Sequence, residues 1–104
     1  MLTAAEIDDL VLRIVERARP NKVIVFGSYA KGTQTINSDL DLLVIKETML
    51  PMSHRADELR PLLSQMLIAV DVHVYTPEEV EEYGKEDCSF VNSVLKFGKT
   101  VFSR

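Results

Sequence analysis

The sequence predicts an α/β fold in which helices pack against a small β-sheet in two or three layers. The prediction has two grounds. Segments with apolar residues at helical spacing alternate along the chain with short runs rich in Val, Ile and Leu. The chain has 104 residues, 46% of them apolar, which suffices for one compact core and leaves little for a second. We therefore expect one domain over residues 1–104.

The first element is an amphipathic helix, predicted from about Thr3 to Ala18. Thr3 followed by Glu6 is a capping-box pattern, and Pro20 cannot continue a helix because it lacks an N–H group. The apolar stripe that would face the core recurs every three or four residues: Ile7, Leu10, Val11, Ile14, Val15 and Ala18.

Three strands and a possible edge strand follow. Lys22–Phe26 is β-branched and nearly all apolar, which indicates a strand covered on both faces, and Gly27 ends it. Leu40–Ile45 is the second strand. Ile68–Tyr75 alternates apolar and polar residues and is the third, while Thr100–Phe102 could add an edge strand.

Further helices are predicted between these strands. Ser28–Lys31 forms a helical turn, and Ser53–Leu67 has helical spacing that Pro61 must kink or restart. Thr76 has the character of an N-cap for a short acidic helix, and Phe90–Leu95 carries a last apolar stripe.

Composition excludes several classes of function. Twelve Lys and Arg against sixteen Asp and Glu give a net charge of −4, so no strongly basic surface indicates a nucleic-acid partner. Cys88 is the single cysteine, which rules out an internal disulfide and any cysteine-rich zinc site. No apolar run approaches the ~18 residues of a membrane helix. We expect a soluble, cytoplasmic protein without a membrane partner, whose homo- or hetero-oligomeric state stays open.

The turn after the first strand has the features of a phosphate site. Gly27 allows a sharp turn, and Ser28 opens a helical turn, so N–H groups, a hydroxyl and the helix dipole converge. Lys31 could contact a phosphate from the same turn. Ser38 has no His or Lys base beside it, so we expect it to orient the loop rather than act as a nucleophile.

Three aspartates are the candidate metal ligands. Asp39 and Asp41 are two apart, so their side chains share a face and repel each other unless a cation lies between them. Mg²⁺ is the natural candidate because it prefers oxygen ligands. Asp71 lies in an otherwise apolar strand, where a buried unpaired charge would be costly. If the two strands are neighbours, the three carboxylates converge on a site for two ions about 3.5–4 Å apart.

This combination resembles a known family. Gly27 and Ser28, then ten residues (29–38), then Asp39-Leu40-Asp41 resemble the signature of the polymerase-β-type nucleotidyltransferase superfamily, and Asp71 matches its third acid. Within that superfamily the chain is similar to the minimal nucleotidyltransferases, single-domain antitoxins encoded beside a HEPN-type toxin. The resemblance covers nearly the whole chain.

The resemblance implies a polymerase-β-like fold with a mixed central sheet, ATP as substrate and two Mg²⁺ ions. It further implies transfer of AMP to a hydroxyl of the partner toxin, expected to be a tyrosine, with release of pyrophosphate. Carried over residue by residue, Gly27 and Ser28 hold the triphosphate, and Asp39 and Asp41 ligate metal. Asp71 completes the metal site and helps to deprotonate the acceptor.

Two other functions stay open at this point. The chain could transfer a nucleotide to a small molecule such as an aminoglycoside, although such enzymes generally carry an additional acceptor-binding domain. It could also be a non-catalytic antitoxin that blocks its partner by docking. Tyr29 and Lys31 stand where the family pattern often has Arg, which favours docking alone, whereas the intact acid triad favours catalysis.

The remaining polar residues have simpler interpretations. His73 shares the face of Asp71, and a lone strand histidine is expected to pack or hydrogen-bond rather than ligate. Arg55 and Arg60 are predicted to be surface charges. The acidic run at residues 78–82 is predicted to be a solvated helix face that a basic partner could contact.

Overall fold

The computed structural model describes all of residues 1–104. Its strands are β1 (Lys22–Phe26), β2 (Leu40–Ile45), β3 (Val70–Tyr75) and β4 (Lys99–Ser103). Its helices are α1 (Ala4–Ala18), α2 (Ser28–Lys31), α3 (Arg60–Leu63), α4 (Pro77–Gly84) and α5 (Phe90–Phe97). The strands form one sheet in the order β3-β2-β1-β4, so the predicted last strand does lie at an edge.

The sheet is mixed. β1 is antiparallel to both β2 and β4, whereas β2 is parallel to β3. The register pairs Phe26 with Asp41 across β1 and β2, and Asp41 with Asp71 across β2 and β3. Because paired residues point to the same face of a sheet, these three side chains form one row.

Helices cover both faces, which makes three layers. On the side that we call the α1 face, α1 contributes to a cluster of 12 buried residues that includes Ile14, Val25 and Leu42. On the opposite side, the α5 face, a cluster of four buried residues joins α5 to the sheet: Ile24, Leu43, Ile45 and Val94. Successive residues of each strand therefore serve opposite clusters, as the period of two requires.

The helix starts follow their local sequence signals. Thr3 and Glu6 form the predicted capping box, with Glu6 N donating to Thr3 Oγ1 at 3.1 Å and Thr3 N donating to Glu6 Oε1 at 2.9 Å. Thr76 and Glu79 make a second box at the start of α4. Each box satisfies N–H groups that the first turn leaves free. None of the helices is both long and apolar enough to cross a membrane.

The predicted helix at Ser53–Leu67 is wrong as a continuous element. Two 3-10 turns, at Met52–His54 and Asp57–Leu59, precede the four-residue α3, which has Pro61 in its first turn. Pro61 has no N–H group to extend a helix from the preceding turn, so the chain restarts there. The helical spacing still reflects burial, because Leu59 is only 1% exposed.

The third strand is shorter than the predicted Ile68–Tyr75. Its ladder with β2 begins at Leu40 and Val70, and Leu40 N donates to Ala69 O at 3.0 Å. β2 does not extend before Leu40, so Ile68 has no strand residue to pair with. The partner strand, not the alternating pattern, sets where β3 starts.

Candidate active site

Gly27 shapes the turn between β1 and α2. Its φ of 74° and ψ of −151° lie in a region that is essentially restricted to glycine. A Cβ at this position would also overlap the Oδ2 atom of Asp41. The backbone conformation therefore requires glycine here, and an added Cβ would push the Asp41 carboxylate away from the turn.

The three predicted carboxylates are at one end of the sheet. Asp41 and Asp71 are direct partners on parallel strands, and Asp39 immediately precedes β2. None of the three takes part in any of the ion pairs of the structure. The second and third strands are therefore neighbours, a condition that the sequence left open, and Asp41 and Asp71 lie at the same level.

The structure corrects the expected burial of Asp71. Its side chain is exposed, because β3 is an edge strand, and Asp39 is exposed as well. Asp41 is the partly buried member of the group. Water access removes the desolvation cost that Asp71 was expected to carry, and the cost falls on Asp41 instead.

The electrostatics of Asp41 agree with this placement. Burial raises the pKa of Asp41 above its ordinary value, and the negative charges of Asp71 and Asp39 raise it further, while His73 acts in the opposite direction. Both causes disfavour the ionised form. A cation at this point would compensate the charge that the surrounding protein leaves unpaired.

The chemistry of these side chains fits a hard divalent cation. Carboxylate oxygens are preferred ligands of Mg²⁺, and this cluster has no protein cation paired with it. As the side chains stand, no three His, Cys, Asp or Glu residues are placed so that they could hold a metal ion together. The metal-binding roles of Asp39, Asp41 and Asp71 therefore stay a prediction.

The other predicted site residues surround the turn. Ser28 is half-buried as the first residue of α2, whose N-cap, Gly27, offers no side chain to the free N–H groups. Lys31 is exposed at the end of the same helix. Ser38 Oγ accepts a hydrogen bond from Thr35 N at 2.9 Å, which agrees with a role in orienting the loop.

Tyr29, which stands where the family pattern often has Arg, belongs to the core rather than to the turn. Its hydroxyl accepts a hydrogen bond from Leu2 N at 3.0 Å, and its ring packs against the cluster of the α1 face. These contacts indicate that Tyr29 stabilises the core.

Sequence reasoning missed an aromatic cluster beside the acids. We call Phe26, His73 and Phe90 the aromatic wall: their ring centroids lie 5.8 Å (Phe26–His73), 5.2 Å (Phe26–Phe90) and 5.1 Å (His73–Phe90) apart. The expectation that His73 packs is confirmed. A sequence signal existed for part of the wall, since Asp71 and His73 are two apart and share a face.

A second missed feature is the ion pair between Arg55 and Glu79. Arg55 was predicted to be a surface charge, yet its side chain is only 11% exposed, with Nη1 2.6 Å from Glu79 Oε1 and Nη2 3.2 Å from Oε2. Arg55 also donates to the carbonyl oxygens of Leu50 and Val74. The pairing of residues 24 positions apart was not visible in sequence.

Comparison with known proteins gives a consistent result. Residues 7–99 match the family model described as nucleotidyltransferase domain. A protein of Methanocaldococcus jannaschii, named "Putative protein adenylyltransferase MJ0604", is 32% identical over 88 residues, which cover 83% of this chain and 82% of that protein.

Solved structures share the fold. A toxin–antitoxin crystal structure with AMP-PNP superposes with a TM-score of 0.65 at 24% identity, over 93% of this chain and 73% of that chain. Two variants of the MntA–HpeT toxin–antitoxin give TM-scores of 0.63 and 0.60, at 19% and 24% identity. They cover 93% and 100% of this chain, and 73% and 75% of theirs.

The family match begins within α1 and ends at the first residue of β4. It includes the Gly27 turn, the paired strands β2 and β3, and all three aspartates. The toxin–antitoxin structures show the same overall fold. The chain therefore belongs to the nucleotidyltransferase domain family and is a nucleotidyltransferase.

Proposed function

We propose that this nucleotidyltransferase transfers AMP from ATP to a hydroxyl group, a tyrosine, of a HEPN-type toxin and thereby acts as the toxin's antitoxin. The single observation that carries the transfer is the pairing of Asp41 with Asp71 on parallel strands, with Gly27 against the Asp41 carboxylate. A protein acceptor is supported by the relative named as a protein adenylyltransferase. A toxin partner is supported by the toxin–antitoxin structures with the same fold.

The roles of the residues follow from their positions. The turn at Gly27 and Ser28 presents backbone N–H groups to the triphosphate, and Lys31 lies at the other end of α2, where it can offset phosphate charge. Ser38 holds the loop that leads to Asp39. Asp39, Asp41 and Asp71 would hold Mg²⁺, which supplies positive charge to offset the charge of the transferred phosphate and of pyrophosphate.

The covalent step exchanges one bond at phosphorus for another. The acceptor oxygen forms a bond to the α-phosphorus while the bond from that phosphorus to the oxygen bridging to the β-phosphate breaks. Pyrophosphate leaves, and the proton of the acceptor hydroxyl passes to the Asp71 carboxylate, which is exposed at the edge of the sheet. An exposed acid can then release that proton to water.

The test is transfer to the product of the neighbouring gene. Incubation with Mg²⁺, labelled ATP and that protein is expected to add one or more AMP units to it, measured by mass spectrometry, and to suppress its activity. Suppression without any mass gain would instead support the docking antitoxin. Transfer to an aminoglycoside alone would support the small-molecule enzyme.

Replacing two of the acids tests the site. Asp39→Asn with Asp41→Asn should lower the transfer rate by at least about a thousandfold, since metal charge stabilisation is worth several kcal/mol. The fold should be retained, because both changes are nearly isosteric. Asp8→Asn with Asp9→Asn, two exposed positions on α1, is the matched control. Unchanged transfer in the first double variant would remove Asp39 and Asp41 from the site.

A further inference from the structure

The aromatic wall continues the row of carboxylates along the sheet. Phe26 pairs with Asp41, and His73 follows Asp71 by two residues on the same face of β3. Phe90, the first residue of α5, lies against both rings, and Tyr75 backs it at 6.1 Å between centroids. Two rings of the wall, Phe26 and His73, are therefore near Asp41 and Asp71 on the same face of the sheet.

The wall is open to a ligand. Phe90 remains 40% exposed although it contacts three other rings, and His73 is exposed on the edge strand. Aromatic rings left accessible beside polar groups are suited to binding a further ring, because edge-to-face and offset contacts add to the burial of apolar area.

The geometry of nucleotidyl transfer indicates which aromatic ring would bind to the aromatic wall. In an in-line displacement, the attacking and leaving oxygens lie on opposite sides of the phosphorus atom. The proposed triphosphate site is the Gly27 turn after β1, and the sheet order β3-β2-β1 places Asp71 on the other side of Asp41. An acceptor entering opposite the leaving group therefore approaches over β3, which carries His73, and Phe90 of α5 lies against that ring at 5.1 Å between centroids.

We propose that the aromatic wall binds the aromatic ring of the acceptor, so that the enzyme selects a phenol hydroxyl over an aliphatic one. This inference rests on the proposed function and deepens it. The ring contacts Phe90 and His73, and its hydroxyl is presented to Asp71, which takes the proton as the bond to the α-phosphorus forms. Phe90 and His73 act as acceptor-binding residues, and the nucleotide base binds elsewhere.

The test compares Phe90→Ala with Phe97→Ala, a control on the same helix that is 67% exposed and outside the wall. The acceptor is the purified product of the neighbouring gene, with its modified tyrosine intact or replaced by serine. For Phe90→Ala we expect kcat/KM for the tyrosine acceptor to fall about tenfold, the scale of one lost aromatic contact, with KM for ATP unchanged. The preference for the tyrosine acceptor over the serine acceptor should also fall. Phe97→Ala should have the same kinetics as the enzyme without substitutions.

Three results would overturn the inference or its basis, and they are distinguishable. Absence of transfer by the unmodified enzyme contradicts the proposed function itself. Transfer by the unmodified enzyme with Phe90→Ala equal to Phe97→Ala contradicts only the acceptor role of the wall. A raised KM for ATP with unchanged acceptor kinetics shows that the wall binds the base. Phe90→Leu keeps most of the apolar volume, so it provides the same comparison if Phe90→Ala does not fold.

Discussion

The two faces of the sheet have different uses. The α1 face has a cluster of 12 buried residues, whereas the α5 face has a cluster of four. The α5 face also has the paired Asp41 and Asp71 and the aromatic wall. A chain of 104 residues thus concentrates its core on one side and leaves part of the other side available to substrates.

The physical reason is the cost of burying polar groups. On the α1 face, α1 and the strands bury apolar side chains that need no hydrogen-bond partners. Covering Asp39, Asp41 and Asp71 to the same degree would place unpaired carboxylates out of water, at a cost of several kcal/mol. The comparison teaches that substitutions on the α1 face should act on stability, and that those on the α5 face should act mainly on the site.

The largest effect on stability is expected on the α1 face. Ile14 is fully buried, so Ile14→Ala should lower the free energy of unfolding by about 2–5 kcal/mol, from lost burial and the cavity that remains. Leu12→Ala is the control in the same helix, because Leu12 is 61% exposed and should change stability by less than about 0.5 kcal/mol. Urea unfolding measures both. Equal effects would contradict the assignment of the α1 face as the main core.

The Gly27 turn should show an effect on both stability and activity. Gly27→Ala forces a side chain into a glycine-only conformation and against Asp41, which should cost about 1–3 kcal/mol and displace the carboxylate. Gly32→Ala is the matched control: it has a similar φ of 72°, but its added Cβ meets no atom within 4 Å. Only Gly27→Ala should also abolish nucleotidyl transfer, and an active Gly27→Ala enzyme would contradict the close contact with Asp41.

The Arg55–Glu79 pair fixes α4, which helps to cover the α5 face. Hydrogen bonds from Arg55 hold the pKa of Glu79 below its ordinary value of 4.5, so the pair favours the ionised form. Glu79 therefore contributes stability above pH 4.5, and this contribution is lost as the pH falls through the lowered pKa of the folded state.

Glu79→Gln should accordingly lower the free energy of unfolding near pH 7 by about 1.5–3 kcal/mol, the range for a hydrogen bond to a charged group. The difference from the unmodified protein should shrink in acid. Glu78→Gln, at the exposed neighbouring position, should have little effect at either pH. A constant difference across this pH range would show that the pair does not depend on the charge of Glu79.

The smallest predicted effect, that of Asp41→Asn, is a gain in stability rather than a loss. Burial and the nearby acids raise the pKa of Asp41, so its ionisation destabilises the folded chain. Below the ordinary pKa of 3.8, Asp41 is protonated in the folded and the unfolded chain, and the folded chain keeps its full stability. That stability is lost as the pH rises through the raised pKa of the folded state. Asp41→Asn should therefore raise the melting temperature at pH 7 by a few degrees, a free-energy gain of about 1 kcal/mol or less.

Differential scanning fluorimetry without divalent cations checks this prediction, with Asp8→Asn as the control at an exposed position. The gain should disappear in acid, where Asp41 is protonated in both states. Adding Mg²⁺ should stabilise the unmodified protein more than Asp41→Asn, because a cation compensates the repulsion. Destabilisation by Asp41→Asn at pH 7 would show that the carboxylate makes a favourable contact.

Much of the fold and of the candidate site follows from local sequence. The helix starts at Thr3 and Thr76 depend on residues three positions apart, and the strands β1 and β2 were predicted with their observed boundaries. The spacing of Gly27, Ser28, Asp39 and Asp41 indicated a candidate site through its resemblance to a family signature, and the roles of these residues stay predictions. The helix starts and the strand boundaries involve interactions within a few residues, which sequence patterns record directly.

The predictions from sequence are wrong where contacts between distant segments determine the local structure. The segment 53–67 breaks into short turns, with Arg55 drawn toward Glu79 and Val74 rather than to solvent. Asp71 is exposed because β3 lies at the edge of the sheet, a position that its alternating pattern does not reveal. Alternation indicates which residues share a face, but it cannot show what covers that face.

The sequence by itself determined most of the local elements and the sharp turn at Gly27, and it identified Asp39, Asp41 and Asp71 as candidate metal ligands. Only the tertiary structure decided that β2 and β3 are parallel neighbours with Asp41 opposite Asp71, and that Phe90 closes the aromatic wall. The reason is that strand pairing and helix docking join residues far apart in the chain, with free energies that depend on the whole packed core. The pattern of any single segment carries no record of its partner.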